Sequence, residues 1–545
     1  MAGSARAVAR RFAARRLIGI GTGTAIVAAF PAIAAAHGMS PVYQSPLPLA
    51  VYLVGAAATV ALSFAFILAR DLRAAPPAPT RPVRVPMAVR LVLRAAGLIG
   101  WTWIMVQGVA GGSSTAAVAS LFLWVYGWVG IAAVSALWFP IWEWLDPFAT
   151  LHDILASVMR RIGVRSWTPA VLPARARHWP AVAGFVFFVW LELVAVPGTG
   201  SLTIVLAGYT LLTLALMAQY GKDRWRGEGE TFSVWFRTLN RLAPLGIARR
   251  DPSGAVVTAR IEDDVDPAVL VRRSFASGLL EVRWTTAIIT LVAVATASII
   301  FDGFSQTVAF ASLFGAPAVG VKTVLLLAWL AVVTGAALGV GRLVSPGAIG
   351  AGLLPIAVGY LIAHYLTYLL IDGQRIVVAV SDPLQKGSDL FGTAFFEPQA
   401  GWLPAGLVWT MQLAAVVGGH MLGAWSGHVT AQRDLEAEAV ARAAAIGNGY
   451  RNGHGNGNGH GNGNGNASGN GSGSGNGSQE ARDLRHRKIH DPAPLPVMRN
   501  VRVREIPLAV MMVALTTLTL WSLGQAIVVE PADALVPGPE IALAR

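Results

Sequence analysis

His364 sits inside an apolar run, "LIAHYLTYLLIDGQRIVVAVSDPLQKGSDLFGT" (361–393), which opens into a loop carrying Asp372, Arg375, Asp382, Lys386 and Asp389. An imidazole beside carboxylates can hold a divalent cation, serve as general acid and base on water, or relay protons. Tyr360, His364 and Tyr368 recur every four residues. On a helix they share one face, with Thr367 and Asp372 beside them. Two more acids reach the same level of neighbouring apolar segments: Glu192 in "FFVWLELVAVPG" and Asp302 in "IIFDGFSQT". The candidate constellation is therefore Glu192, Asp302, His364, Asp382 and Asp389. Within it, His364, Asp382, Asp389 and Glu192 are candidate catalytic groups, and Tyr360, Tyr368 and Asp302 are candidate substrate contacts. No pair has a metalloenzyme spacing such as HExxH. The pattern marks a site without choosing its chemistry, and a hydrogen-bonded packing histidine is the plain alternative.

What must position these groups is set by composition. Hydrophobic residues make up 54% of the 545-residue chain and charged residues 13%, with a mean hydropathy of +0.56. A soluble domain is about a quarter charged, so an all-α, polytopic transmembrane helix bundle is expected. Each span needs roughly 20 mostly apolar residues. Ten segments qualify: 48–69, 92–110, 117–139, 180–197, 202–219, 284–301, 320–340, 347–371, 402–424 and 506–529. Before them, residues 1–36 have the basic start, apolar middle and small-residue end of a signal peptide or a first helix. Cleavage after Ala36 would make His37 the amino terminus, whose amine and ring nitrogen could chelate an ion, copper being favoured. His37 and His364 are thus the candidate metal ligands, and a divalent metal ion is the candidate cofactor.

Threading the spans alternately gathers the arginines of loops 70–91, 140–179 and 220–283, and the basic run 482–504, on one side. The other side keeps only Lys322, Arg375, Lys386 and Arg545. Lys and Arg collect on the cytoplasmic face. That accounts for the net charge of +13 without nucleic acid as a partner. The lipid bilayer is the expected partner. The expected location is the plasma membrane, with His37 and the C-terminus outside. His364 then lies about seven residues, roughly 10 Å, below the outer end of its span. Polar groups at such depth turn inward or line a cavity.

The chain divides into 1–36, a transmembrane domain 37–445, a disordered Gly/Asn-rich cytoplasmic linker 446–480, and a basic juxtamembrane segment with the last span, 481–545. Inner loop 220–283 mixes acids and bases, with room for short helices but no large core. "EWLDPFATLHDILASVMRRIG" (143–163) has the apolar spacing of an interfacial helix. Gly418, Gly419 and Gly423 predict close helix packing. His420, among them, stands roughly 20 Å in depth from His364 and cannot share an ion with it. Cysteine is absent, which excludes disulfides and thiolate chemistry. There is also no phosphate loop, CxxCH or G-x-S-x-G. An ATPase, a c-type cytochrome and an ordinary serine hydrolase would lack their parts.

Several stretches carry a family resemblance: "AHG", "SPLPL" (45–49), "WLDPFATL" (144–151), "FVWLELV" (188–194), "YGKDRWRGEGETFSVWF" with the following "LAPLG" (220–246), "FDGFSQT" (301–307) and "SDPLQKGSDLFGT" (381–393). In these the chain resembles a group of polytopic actinobacterial membrane proteins commonly labelled fenitrothion hydrolase. The family pattern has an aromatic residue where Ser388 stands. The resemblance implies hydrolysis of an organophosphorus ester, as one component of a membrane complex with a partner subunit. The residues themselves leave two alternatives open: a membrane transporter using the same pocket, and a non-catalytic envelope or copper-handling partner.

Overall fold

The computed structural model describes residues 49–69, 81–112, 117–163, 169–452 and 505–523. The expectations for residues 1–36, for His37, for all but the start of the Gly/Asn-rich linker and for the basic run 482–504 lie outside these. Two compact units are present, Met1–Thr430 with Pro507–Arg545, and Ala431–Ile506. The described residues of the second unit are 431–452, which are helical and take in the first residues expected to be linker, together with Glu505 and Ile506.

The first unit is a helical bundle. Eight of its described helical segments are long and apolar enough to cross a membrane. Its elements begin with α1 (Leu49–Ala69), β1 (Arg81–Arg84), α2 (Met87–Ala110), α3 (Val118–Leu137) and α4 (Pro147–Arg161). Then come α5 (Trp179–Trp190), α6 (Thr199–Tyr220), α7 (Lys222–Glu228), α8 (Thr231–Leu239), β2 (Leu245–Arg250), β3 (Val256–Thr258) and β4 (Val269–Arg272). The chain continues through α9 (Thr286–Ser305), α10 (Val319–Leu343), α11 (Pro346–Ile371), α12 (Ala405–Asn452) and α13 (Ile506–Leu523). Eight of the ten expected spans fall on the long apolar helices; the segments expected at 48–69 and 506–529 fall on α1 and α13, which are helical but count among the described residues only as shorter apolar helices.

Helix α9 is the axis of the bundle. Every residue from Ala287 to Gly303 is buried, against α11, α10 and α5. Its many alanines with Thr296 and Ser298 let neighbours approach closely, and Asp302 is its lone charge. By contrast α2, α6 and α10 leave Leu91, Val92, Ile204, Leu211, Val324 and Val332 exposed. Such apolar side chains suit a lipid solvent.

Close packing of α11 on α12 is built from glycine. A Cβ on Gly359 would stand 2.4 Å from the Ala415 carbonyl, one on Gly419 2.7 Å from the Pro355 carbonyl, and one on Gly423 2.4 Å from the Gly352 carbonyl. Gly418, expected to join them, faces open space instead. Pro355 lies within α11 and has no N–H to offer the carbonyl four residues back. That carbonyl, of Ala351, accepts instead from Ser426 Oγ of α12 at 2.7 Å. Replacing Gly359 by Leu forces α11 and α12 apart, a penalty of at least about 1–3 kcal/mol. Purified G359L is therefore expected to aggregate on size exclusion where the wild type runs as one species.

Loop 220–283 departs from expectation. Instead of short helices without a core, residues 220–283 form α7, α8 and three strands around a buried centre that includes Trp235, Leu239, Ile247, Val271 and Leu279. The sheet is four-stranded and antiparallel, in the order β1-β4-β2-β3. β1 comes from loop 70–91, with Pro82 opposite Val271 and Val83 opposite Leu270. A proline is tolerated there because β1 is an edge strand. The pairing puts residues 81–84 and loop 220–283 on one side of the bundle, as the charge threading requires.

Loop 138–147 joins the same side through buried ions. Glu143 takes both forks of Arg237, at 2.7 and 3.2 Å, and Arg226 at 3.1 Å. Arg226 Nε also donates to Asp146 at 2.8 Å. The other oxygen of Asp146 accepts from the amides of Phe148 and Ala149 and so caps α4. α4 leaves Ile154, Leu155 and Val158, with Ile162 just past its end, exposed along one face, as a helix lying in a membrane interface would.

Candidate functional site

The sixteen helical steps from Thr286 to Asp302 carry that carboxylate about 24 Å along α9, to the end away from the sheet. α11 starts at the sheet end with Pro346 behind its Ser345 cap, and delivers His364 to the same far end. There the two meet. Asp302 Oδ2 lies 3.0 Å from His364 Nε2 and accepts from the Tyr365 hydroxyl at 2.8 Å; Oδ1 accepts from Gln306 Nε2 at 2.7 Å. The side chains of His364 and Asp302 keep 14% and 11% of their exposure, so the pair is almost, not wholly, closed off. No hydrogen bond to the second ring nitrogen of His364 is present among the described residues.

The surroundings are irregular backbone. α5 continues as a π-turn over Leu191–Ala195 and ends at Val196 with φ 37°, the left-handed region that a β-branched residue rarely adopts. Extra turns of this kind recur at functional sites. This one carries Glu192, within electrostatic reach of Asp302 and of Tyr365. Another π stretch, Leu121–Ile131 within α3, holds Trp128, whose ring meets Tyr365 edge-on at 6.3 Å. Lys322 on α10 also feels the Asp302 charge. Gly303 forms the floor. A Cβ there would meet Ser522 Oγ, the Tyr360 hydroxyl and His364 Cε1.

Of the expected constellation, Asp302 and His364 are thus in contact, with Glu192 nearby. Tyr360 is fully buried, its ring 5.7 Å from that of His364, and Tyr368 stands beside Tyr365 at 6.5 Å. Asp382 and Asp389 are arranged differently. Asp382 accepts from the amides of Lys386 and Gly387 at 3.0 and 2.8 Å, while Asp389 accepts from Ser381 Oγ and the Ala394 amide at 2.8 and 3.0 Å. Both carboxylates tie their own loop, which docks on α2 through Pro383, whose carbonyl accepts from Trp103 and Gln107. Among the described residues no hydrogen bond or ion pair joins either acid to His364, Asp302 or Glu192. Desolvation by itself would raise the Asp382 carboxyl, but the amides of Gly387, Lys386, Ser388 and Gln385 together outweigh it and hold the group below its usual value. The Ala394 amide and the Ser381 hydroxyl do the same for Asp389. The physical reason is local. Pro383, Gly387 and Gly392 fold the loop so tightly that its own amides point at its acids.

No three His, Asp or Glu side chains converge as a metal-ligand set among the described residues, so the expected ion at His364 lacks a cage there. His420 is buried, with Nδ1 2.8 Å from the Val416 carbonyl of its own helix. Tyr365, Gln306, Lys322 and Trp128 were not legible as site residues. Tyr365 alone left a signal, three residues before Tyr368 and so on the same flank of the helix. No family model, curated protein or solved structure matches this chain.

Proposed function

We propose that the protein is a plasma-membrane permease that couples solute movement to protons, with Asp302 and His364 as the proton-carrying pair. The observation that carries this reading is the contact itself. A lone carboxylate on a fully buried central helix accepts from an imidazole and a phenol at one end of the bundle. Ionisable groups inside a membrane bundle mark ion pathways and proton relays. Glu192 and Lys322 lie within electrostatic reach of Asp302, so a change in protonation at the pair would be felt by both. The arginine-rich side bearing the sheet faces the cytoplasm in this reading, by the positive-inside rule. The Asp302 site then opens outward.

The organophosphorus hydrolase implied by sequence resemblance draws less support. A general base needs a pKa near the working pH. Asp382 and Asp389 are held low by their own loop, and no convergent ligand set exists among the described residues to activate water. Proteoliposomes containing the full chain and a pH dye separate the two readings. They are challenged with a panel of amino acids, sugars, organic acids and a nitrophenyl phosphotriester. The permease reading expects at least one solute to move protons across the membrane. Release of nitrophenol, with no solute moving protons, would overturn it in favour of hydrolysis.

A further inference from the structure

A polar cavity of about 320 Å³ opens on the sheet side. Arg241, Arg249 and Arg260 line it, with Thr258, Asp251 and Glu281. Arg241 is the unusual member. It is 1% exposed, and Nη1 donates to the Ala259 carbonyl at 2.8 Å, yet Nε and Nη2 have no partner among the described residues. A buried cation with two unused donors is costly unless an anion completes it.

The protein's own acids do not fill that role. Asp251 accepts from the Ser253 amide and hydroxyl and from the Ala255 amide, all within its own turn. Glu281 lies 3.9 Å from Arg273, a second buried guanidinium within electrostatic reach of Arg241; Glu281 and Glu262 offset part of the Arg241 charge through space, but among the described residues neither hydrogen-bonds it. Asp263 is taken by Arg249 at 2.9 Å. Burial, and then the charge of Arg273, bring the Arg241 guanidinium down to about 9, the sign of an under-compensated cation. Thr258 adds a hydroxyl at the wall, and Arg260 is exposed at the rim.

We infer that this cavity binds a phosphoryl oxyanion, with Arg241 as the buried fork and Arg249 and Arg260 closing over it. Guanidinium is the side chain suited to such planar, multi-point recognition of phosphate oxygens. The same chemistry could be presented by free phosphate, by a small phosphorylated solute, or by a phospholipid headgroup. The site is separate from the Asp302 pair and stands whether or not that pair carries protons.

The full chain in phosphatidylcholine nanodiscs, titrated with labelled inorganic phosphate by equilibrium dialysis, tests this. One saturable site per chain is expected, weakened on the order of 10-fold in R260A. Because Arg260 is exposed, that variant should fold. R241Q should lose binding altogether, with circular dichroism confirming that its helices and sheet remain. A second arm repeats the titration in phosphatidylglycerol nanodiscs. Suppressed phosphate binding there identifies the lipid headgroup as the resident, and unchanged binding identifies a soluble phosphate. Absence of saturable binding in phosphatidylcholine, or equal affinity in wild type, R260A and R249A, would overturn the assignment.

Discussion

Asp302→Asn is expected to abolish proton-coupled uptake in proteoliposomes, with a drop of at least about 100-fold, the scale of losing a positioned proton carrier. The amide is nearly isosteric and its oxygen can still accept from Tyr365, so α9 should remain in place. What is lost is the group that takes up a proton and the charge that orients His364. His364→Gln should do less. It keeps a donor toward Asp302 but removes the ring to which the proposed permease assigns the proton relay, so uptake should slow and lose its wild-type pH profile. A purely structural role predicts the opposite pattern. Uptake per folded molecule would be unchanged, and only the yield or thermal stability of the variants would fall.

Glu143→Gln is expected to produce the largest loss of stability. Glu143, Asp146, Arg226 and Arg237 are side chains with between 0 and 7% exposure, two acids against two bases. Removing one member leaves a buried guanidinium uncompensated, a loss on the order of 3–5 kcal/mol. Equilibrium unfolding in lipid nanodiscs measures it. Because Arg237 also donates to the Ile261 carbonyl, the damage should spread to the sheet. Removing both ends, in the E143Q/R237Q double variant, should recover part of the loss, which separates the ion pair from simple packing. The pH dependence has a definite sign. Burial by itself would raise the Glu143 carboxyl, but Arg237 and then Arg226 overcome it and bring the group from 4.5 down to about 2. A carboxyl lowered in the folded state adds stability that is fully present above 4.5 and is lost as the pH falls from there toward 2. E143Q should lack that part of the acid sensitivity.

The bundle was readable because spanning a bilayer imposes a coarse requirement. A run of about 20 apolar residues is visible without knowing what it touches. The sheet was not, for the converse reason. "RPVR", "VVT" and "VLVR" are three or four residues long, and β1 is separated from its partner β4 by well over a hundred residues. Strands that short announce themselves only once paired. In the site, helical spacing put Tyr360, His364 and Tyr368 on one face, and depth matched His364 with Asp302 and Glu192. Depth could not tell that the acids of 382–389 would meet the amides of their own turn. Nor could it bring Lys322, counted as an outer loop charge, to within reach of Asp302. Those outcomes are decided by turn geometry and helix rotation, which a hydropathy pattern does not encode.

Infrared difference spectroscopy of the full chain in lipid bilayers, recorded as the pH is lowered, tests the proton-carrying pair most directly. The account predicts a protonated-carboxyl stretch that grows in the wild type, is missing in Asp302→Asn and has a shifted midpoint in His364→Gln. Identical difference spectra for wild type and Asp302→Asn would contradict it, because a carboxylate that never takes up a proton carries none.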